Sequence, residues 1–349
     1  MKQEMVPIDG GAIVADPRYR AVAVIDESAI DSRDGWIYPE MPVSAEACPK
    51  PRLAKEPYLV DEPRGAIVWR LDIVLGGKRM RLHSRIPAQN IGVLPRIAHL
   101  AQPVAENDIR PPDHVLDLVQ DEETYQLWND GKLIFAAGTA NQLVGELYVL
   151  LLELAHAPRR LMLMAHAAAL VVDGASLILS AASGGGKTIL SIGLAHAGAI
   201  LLTDDTVGVD YEDLSLVGLP AALRVRAAGW PLAASRLAPE AGTVEPNRGG
   251  IRHIPPAWAG RTIERAPPAQ AVILLDFVPD AQCSTDSLKA ARGLAAMIQG
   301  GASLPETLDP VLAAPVIAGW CGQTRFYRLR YGNLTDGIAG IHAIRAELA

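Results

Sequence analysis

The chain has 349 residues, enough for two domains at about 100 to 200 residues each. Half of its residues are apolar and 20% are charged, and mean hydropathy is +0.17, which excludes a disordered chain. A net charge of -7 without any basic run excludes the electrostatic footprint of a nucleic-acid binder, so no nucleic-acid partner is expected.

Positive charge is carried by 25 arginines and only 7 lysines, and between Lys132 and Lys289 the single lysine, Lys187, stands among nine arginines. A chain that otherwise uses arginine has kept a lysine there, which asks for a chemical reason. The three cysteines, Cys48, Cys283 and Cys321, form no CxxC pair, so neither a disulfide framework nor a zinc site is expected. The amino-terminal stretch carries acidic residues and no apolar core of signal-peptide length, and with the cysteine usage this predicts a cytoplasmic protein. Residues 161–182 hold only Asp173 as a formal charge and are long enough for a membrane span. Asp173-Gly174 at their centre reads instead as a hairpin turn between buried strands, so no membrane partner is expected.

In chain order, the first 60 residues show little periodicity apart from AVAVI at 21–25. IVWRLDIVL, Gly76-Gly77 and KRMRLHS follow as two alternating segments around a two-residue turn, a hairpin signal. Five prolines between 86 and 120 predict an irregular connection and a domain boundary near 120. Residues 1–120 are thus expected to form a smaller β-rich module and 121–349 a larger α/β domain. Within the latter, Tyr125–Trp128 and Leu133–Phe135 flank a second hairpin turn, and Asn141 is the predicted N-cap of a helix running to Ala157, closed by Pro158. A strand over 162–172, the Asp173-Gly174 turn, a strand over 176–180, a glycine-rich loop, a helix over 187–197 and a strand over 199–203 follow. AVILLDF at 271–277 and RFYRLRY at 325–331 read as strands, 287–299 and 335–348 as helices.

The loop reads Ala-Ala-Ser-Gly-Gly-Gly-Lys-Thr over 181–188. It meets the P-loop pattern GxxxxGK[ST] at Gly186, Lys187 and Thr188, with Ala181 at the usual first glycine. Ser183, Gly184, Gly185 and Gly186 are the expected cradle for phosphate oxygens, because a glycine-rich backbone turns successive N–H groups toward an anion at a helix N-terminus. Lys187 is expected to reach the outer phosphates as a compact point charge, and Thr188 to bind Mg²⁺ through its hydroxyl. This explains the isolated lysine.

Seventeen residues past Lys187, after the apolar run Ala-Ile-Leu-Leu, stand Asp204 and Asp205. A helix returning to a neighbouring parallel strand predicts this pair beside the loop, where one carboxylate holds Mg²⁺ and the other takes a proton from a hydroxyl. Asp276, after AVILL, is the competing metal-side carboxylate. His166 lies in the strand before the hairpin, and no histidine pair has a metal-binding spacing. Arg224 and Arg226 in LRVR and Arg252 in GGIRHI are candidates to neutralise phosphate.

His166, the loop SGGGKT over 183–188 and Asp204-Asp205, in this order and spacing, resemble the catalytic domain of the HPr kinase/phosphorylase family and its shorter relatives in bacterial peptide-modification clusters. The resemblance covers 121–349 and is sharpest over 162–210. It implies a P-loop kinase core of the HPr kinase carboxy-terminal type, with Asp204 as base, Asp205 as the metal-side carboxylate and His166 near the transferred phosphate. The glycine- and arginine-containing stretch that follows the nucleotide half in true HPr kinases is not found, so neither phosphorylase activity nor HPr as substrate is implied. The expectation is an ATP- and Mg²⁺-dependent kinase acting on a hydroxyl, a Ser or Thr of a peptide or small protein. Two alternatives stand beside it: a small-molecule kinase of the same fold, and a nucleotide-binding switch or assembly protein. The amino-terminal module is assigned acceptor binding or homo-oligomer formation from its position alone.

Overall fold

The computed structural model describes residues 4–16, 21–26, 63, 65–101, 110–121, 124–182, 184–305 and 308–349. The fold is mixed α/β with several sheets, divided into two compact units, one of residues 1–36 with 158–349 and one of 37–157. The chain begins with three strands, β1 (Glu4–Ile8), β2 (Gly11–Asp16) and β3 (Ala21–Asp26), paired as an antiparallel meander. Ile13 and Ala15 of β2 are buried in one core with residues of the carboxy-terminal half.

The second unit is a five-stranded sheet in the order β4-β5-β6-β7-β8, made of β4 (Trp69–Leu75), β5 (Lys78–Ser84), β6 (His114–Asp121), β7 (Thr124–Asn129) and β8 (Lys132–Ala137). Both expected hairpins are present. The proline-rich connection holds two single-turn helices, α1 (Ala88–Ile91) and α2 (Leu94–Ile97), and then β6, which pairs in parallel with β5. The boundary expected near 120 therefore falls inside this sheet, at the turn from β6 to β7. Residues 1–120 are not one module: 4–26 join the unit of residues 158–349, and 69–121 share a sheet with 124–137. Helix α3 (Ala140–His156) packs on this sheet and begins two residues earlier than predicted. Its N-cap is Thr139, whose Oγ1 accepts from Gln142 N at 3.4 Å, and Asn141 lies inside the first turn.

In the first unit the strand expected over 162–172 is two strands, β9 (Leu161–Ala165) and β10 (Ala168–Val172), broken at His166-Ala167. They belong to different sheets. β10, β11 (Ala175–Ser180), β12 (Ile200–Thr203), β18 (Ala271–Phe277), β19 (Ser284–Leu288) and β20 (Arg325–Tyr331) form a six-stranded sheet in the order β12-β10-β11-β18-β20-β19. β9 pairs instead with β13 (Thr206–Asp210), which continues through β14 (Ser215–Leu219) to β17 (Arg265–Pro268). β15 (Leu223–Arg226) and β16 (Ile251–Ile254) make a separate two-stranded ribbon. β12 is not the direct neighbour of β11, as expected, because the antiparallel β10 lies between them. β11 and β12 still point the same way, so their carboxyl ends share one edge.

Both faces of the six-stranded sheet are buried at β10, β11 and β18, which explains the near-continuous apolar runs of these strands. Leu177 and Leu179 share one core with α4 (Lys187–His196) and α8 (Leu334–Glu347). Ile178 and Val272 face the other, with α6 (Ala290–Gln299) and α7 (Pro310–Gln323), where Trp320 meets Phe326 edge-on at 5.9 Å. The short helix α5 (Trp230–Ala234) packs near α4. The helix expected over 287–299 starts only at Ala290, since Leu288 ends β19. No helix of the described residues is long and apolar enough to cross a membrane.

The ladder between β9 and β13 sets Ala165 opposite Val207 and so brings His166 beside the Asp204-Asp205 turn. Its far end is clamped by the fully buried Asp210, which accepts from Arg159 Nε at 2.6 Å and Nη2 at 2.9 Å and from Glu212 N at 2.8 Å. Burial by itself raises the pKa of this carboxyl; the Arg159 bond and the Glu212 and Asp213 amides outweigh it and hold it well below the usual range. The stability this supplies is fully present above the ordinary carboxylate value of about 4 and is lost as pH falls toward the depressed one. Asp210→Ala is expected to lower unfolding free energy by about 3 kcal/mol at neutral pH. In denaturant titrations the gap to wild type should narrow below about pH 4; a gap independent of pH would contradict the clamp.

Candidate functional site

β11 ends at Ser180, and the glycine-rich loop turns into α4, whose first residue is Lys187. Gly185 N donates to Ala182 O at 2.9 Å, and Gly186 caps the helix at φ 87°, a left-handed conformation that a side chain resists. A Cβ on Gly186 would stand 2.5 Å from the Tyr331 hydroxyl, and one on Gly185 would stand 2.8 Å from the Ala181 methyl carbon. The loop is therefore packed on both sides. Ser183 lies outside the described residues.

Lys187 is only 8% exposed. Its Nζ donates to Ala181 O at 2.8 Å. Burial lowers its pKa, and the neighbouring Asp204 and Asp205 charges pull the other way. Thr188 Oγ1 donates to Asp204 Oδ2 at 2.7 Å. Asp204 is 7% exposed, and its other oxygen, Oδ1, is buried without a hydrogen bond of good geometry among the described residues, although the likewise buried Ser191 hydroxyl is near enough to help lower its pKa. Burial pushes its pKa up to about 7, the nearby Asp205 adds to the rise, and the Thr188 bond and Lys187 oppose it.

The turn that carries the pair is tied down by Thr203. Its hydroxyl donates to Leu219 O at 2.7 Å and accepts from Asp205 N at 3.2 Å. Asp205 Oδ1 lies 3.5 Å from Nδ1 of the half-exposed His166, and its Oδ2 accepts from Thr206 Oγ1 at 3.2 Å. The structure thus joins Thr188 to Asp204 and His166 to Asp205. That differs from the division implied by the resemblance, which set Thr188 with Asp205.

His166, Gly184 to Thr188, Asp204, Asp205, Arg224 and Arg226 line one cavity of about 390 Å³. Of the arginines, Arg224 and Arg226 project from alternate exposed positions of β15, and Arg226 Nη1 lies 3.6 Å from the place of a Cβ on Gly184. Arg252 does not line the cavity: its Nε donates to Val244 O at 3.0 Å and its guanidinium stacks over Trp230 at 4.3 Å. Asp276 does not line it either; it stands half-exposed, 4.0 Å from Arg330 Nε. Among the lining residues not singled out from the sequence are Phe277, Tyr331 and Leu232. For the first two a signal existed, since each is the last residue of a parallel strand next to β11 or β18 and must reach the same edge as the loop.

The donor set suits a hard cation in part. An orphaned buried carboxylate oxygen beside a threonine hydroxyl leaves two oxygens for an ion that takes its remaining ligands from phosphate and water. Among the described residues no group of three or more His, Cys, Asp or Glu side chains is placed to hold a metal without such help.

No family model and no curated protein matches the chain. Among solved structures it is similar to the HPr(Ser) kinase/phosphatase from Coxiella burnetii, at 14% identity and a TM-score of 0.26, over 53% of this chain and 98% of that one. A likeness at this level carries no argument about activity, which rests on the geometry of the cavity.

Without metal, folded Asp204 keeps its proton between the ordinary carboxylate value of about 4 and about 7. The stability linked to that proton is fully present below the lower value and is lost as pH rises through the upper one. Asp204→Asn keeps an acceptor for Thr188 and removes the loss. In chelator-treated protein it is expected to melt a few degrees above wild type on the alkaline side of neutrality and level with it near pH 4. An unchanged difference across that range would count against the buried carboxylate.

Proposed function

We propose that the chain is a kinase that binds a nucleoside triphosphate, ATP in the first instance, with Mg²⁺ and moves the γ-phosphoryl group to a hydroxyl of a peptide or small protein. The observation that carries this reading is the pairing inside one cavity: a buried Thr188–Asp204 bond next to Lys187, and an accessible Asp205–His166 pair. Phosphoryl transfer asks the protein for positioning and charge compensation, with little covalent work.

The glycine-rich backbone and the positive end of α4 are suited to the phosphates. Lys187 exchanges the Ala181 carbonyl for phosphate oxygens, and Arg224 and Arg226 close over them. Asp204 and Thr188 would hold Mg²⁺, which supplies positive charge against the charge that builds on the transferred group. Both carboxylates compete for the role of base. Burial raises the pKa of Asp204, but one of its oxygens is already engaged by Thr188 and a cation beside it would lower that pKa again. Asp205 opens to the cavity and has His166 to share the proton it takes from the acceptor oxygen.

The test uses γ-labelled ATP, Mg²⁺ and candidate Ser- or Thr-containing peptides. Wild type should transfer label, and Asp205→Asn should lose about 10²-fold or more in rate while still binding Mg-ATP. Lys187→Ala should abolish the rise in melting temperature that Mg-ATP produces. Label transfer absent with every acceptor, together with ATP hydrolysis unchanged in Asp205→Asn, would overturn the kinase reading and leave a nucleotide switch.

A further inference from the structure

The order of the six-stranded sheet gives the cavity two unlike ends. β12, which delivers Asp204 and Asp205, lies to one side of β11, and β18 and β20 lie to the other. β11, β18 and β20 are parallel, so their last residues emerge on the edge that carries the glycine-rich loop, where ligands of open α/β sheets bind. At that end stand Phe277 and Tyr331, paired across the ladder as the final residues of β18 and β20. Their rings are 5.4 Å apart and inclined at 53°.

Two features of this pair point to a ligand. Phe277 is 40% exposed, an apolar ring left facing the cavity beside Gly186. Tyr331 is 2% exposed, yet its hydroxyl has no hydrogen-bond partner among the described residues. A buried donor left unmade costs free energy that a ligand or its water recovers. Burial also pushes its pKa up to about 12, so the hydroxyl keeps its proton and can donate. The other end of the cavity holds Asp204, Asp205 and His166, the end that the nucleotide reading gives to the outer phosphates with their cation.

Resting on the nucleotide reading above, we infer that Phe277 and Tyr331 form the seat for the base of the bound nucleoside triphosphate. The base stacks on the open face of Phe277 and the Tyr331 hydroxyl donates to the nucleotide next to Gly186. The triphosphate then runs along the loop with its outer end toward Asp205 and His166. Such a seat recognises a planar nucleobase by stacking, which every base offers.

The test compares two ligands on the full chain by titration calorimetry, Mg-ATP and Mg-tripolyphosphate, the second having phosphates and no base. Phe277→Ala and Phe277→Leu are expected to weaken Mg-ATP about tenfold and to leave tripolyphosphate unchanged, and Phe277→Trp to keep wild-type ATP affinity. Unchanged tripolyphosphate binding also reports that the loop is intact in the variants. An equal loss for both ligands, or no loss for ATP, overturns the base seat while the phosphate site stands. Failure of wild type to bind either ligand overturns the nucleotide reading and the base seat together.

Discussion

Burial of the central strands of the six-stranded sheet on both faces is the constraint from which the site follows. With Leu177 and Leu179 turned to one core and Ile178 and Val272 to the other, neither face has room for polar chemistry. What is left is the edge where β11, β12, β18 and β20 end. There the backbone stops pairing, a helix presents unpaired amides, and side chains at strand ends reach a common space. The glycine-rich loop, the two carboxylates and the two aromatic rings come from four different strand ends and share one cavity for this reason.

The same burial sets the electrostatics. Lys187 and Asp204 are both removed from water, and desolvation pushes each toward its neutral form while their mutual attraction resists. On the proposed reading, anionic phosphate beside Lys187 and a cation beside Asp204 would restore charge to both groups. The affinity of such a site for either ligand alone is then expected to be lower than for the two together, since each ligand stabilises the charged partner of the other.

Much of this was legible where the signal is local. The hairpins at 76–77 and 130–131, the strands 271–277 and 325–331 and the loop with its lysine follow from turn chemistry, period and motif spacing. The break at His166 was not legible, because LMLMAHAAALVV is a nearly continuous apolar run and the change of sheet is decided by partners distant in sequence, β13 for one half and β12 for the other. Helix α7 was missed because Pro315 reads as a breaker and because its exposed face also carries apolar residues, Leu312 among them, which blurs the buried stripe of Ala313, Ile317 and Trp320. The placement of residues 4–26 depends on contacts with α6 and α7, hundreds of residues away. Arg252 and Arg224 looked alike in sequence, but Arg252 pairs with the buried Val225 and so lies on the ribbon face opposite Arg224 and Arg226, where it stacks on Trp230.

Ala181, where the motif usually has glycine, shows how one departure is absorbed by its neighbourhood. Its contribution to Lys187 is made by the carbonyl oxygen, which any residue supplies. The methyl group is not neutral, however, because it occupies the space that a side chain at 185 would need. Smallness at the fifth loop position is thus tied to the methyl group at the first. Glycine at 181 would relieve only part of that crowding, since the Ala182 carbonyl oxygen would still stand 3.0 Å from a Cβ at 185, so the second of the three consecutive glycines is held by the turn as well as by its neighbour.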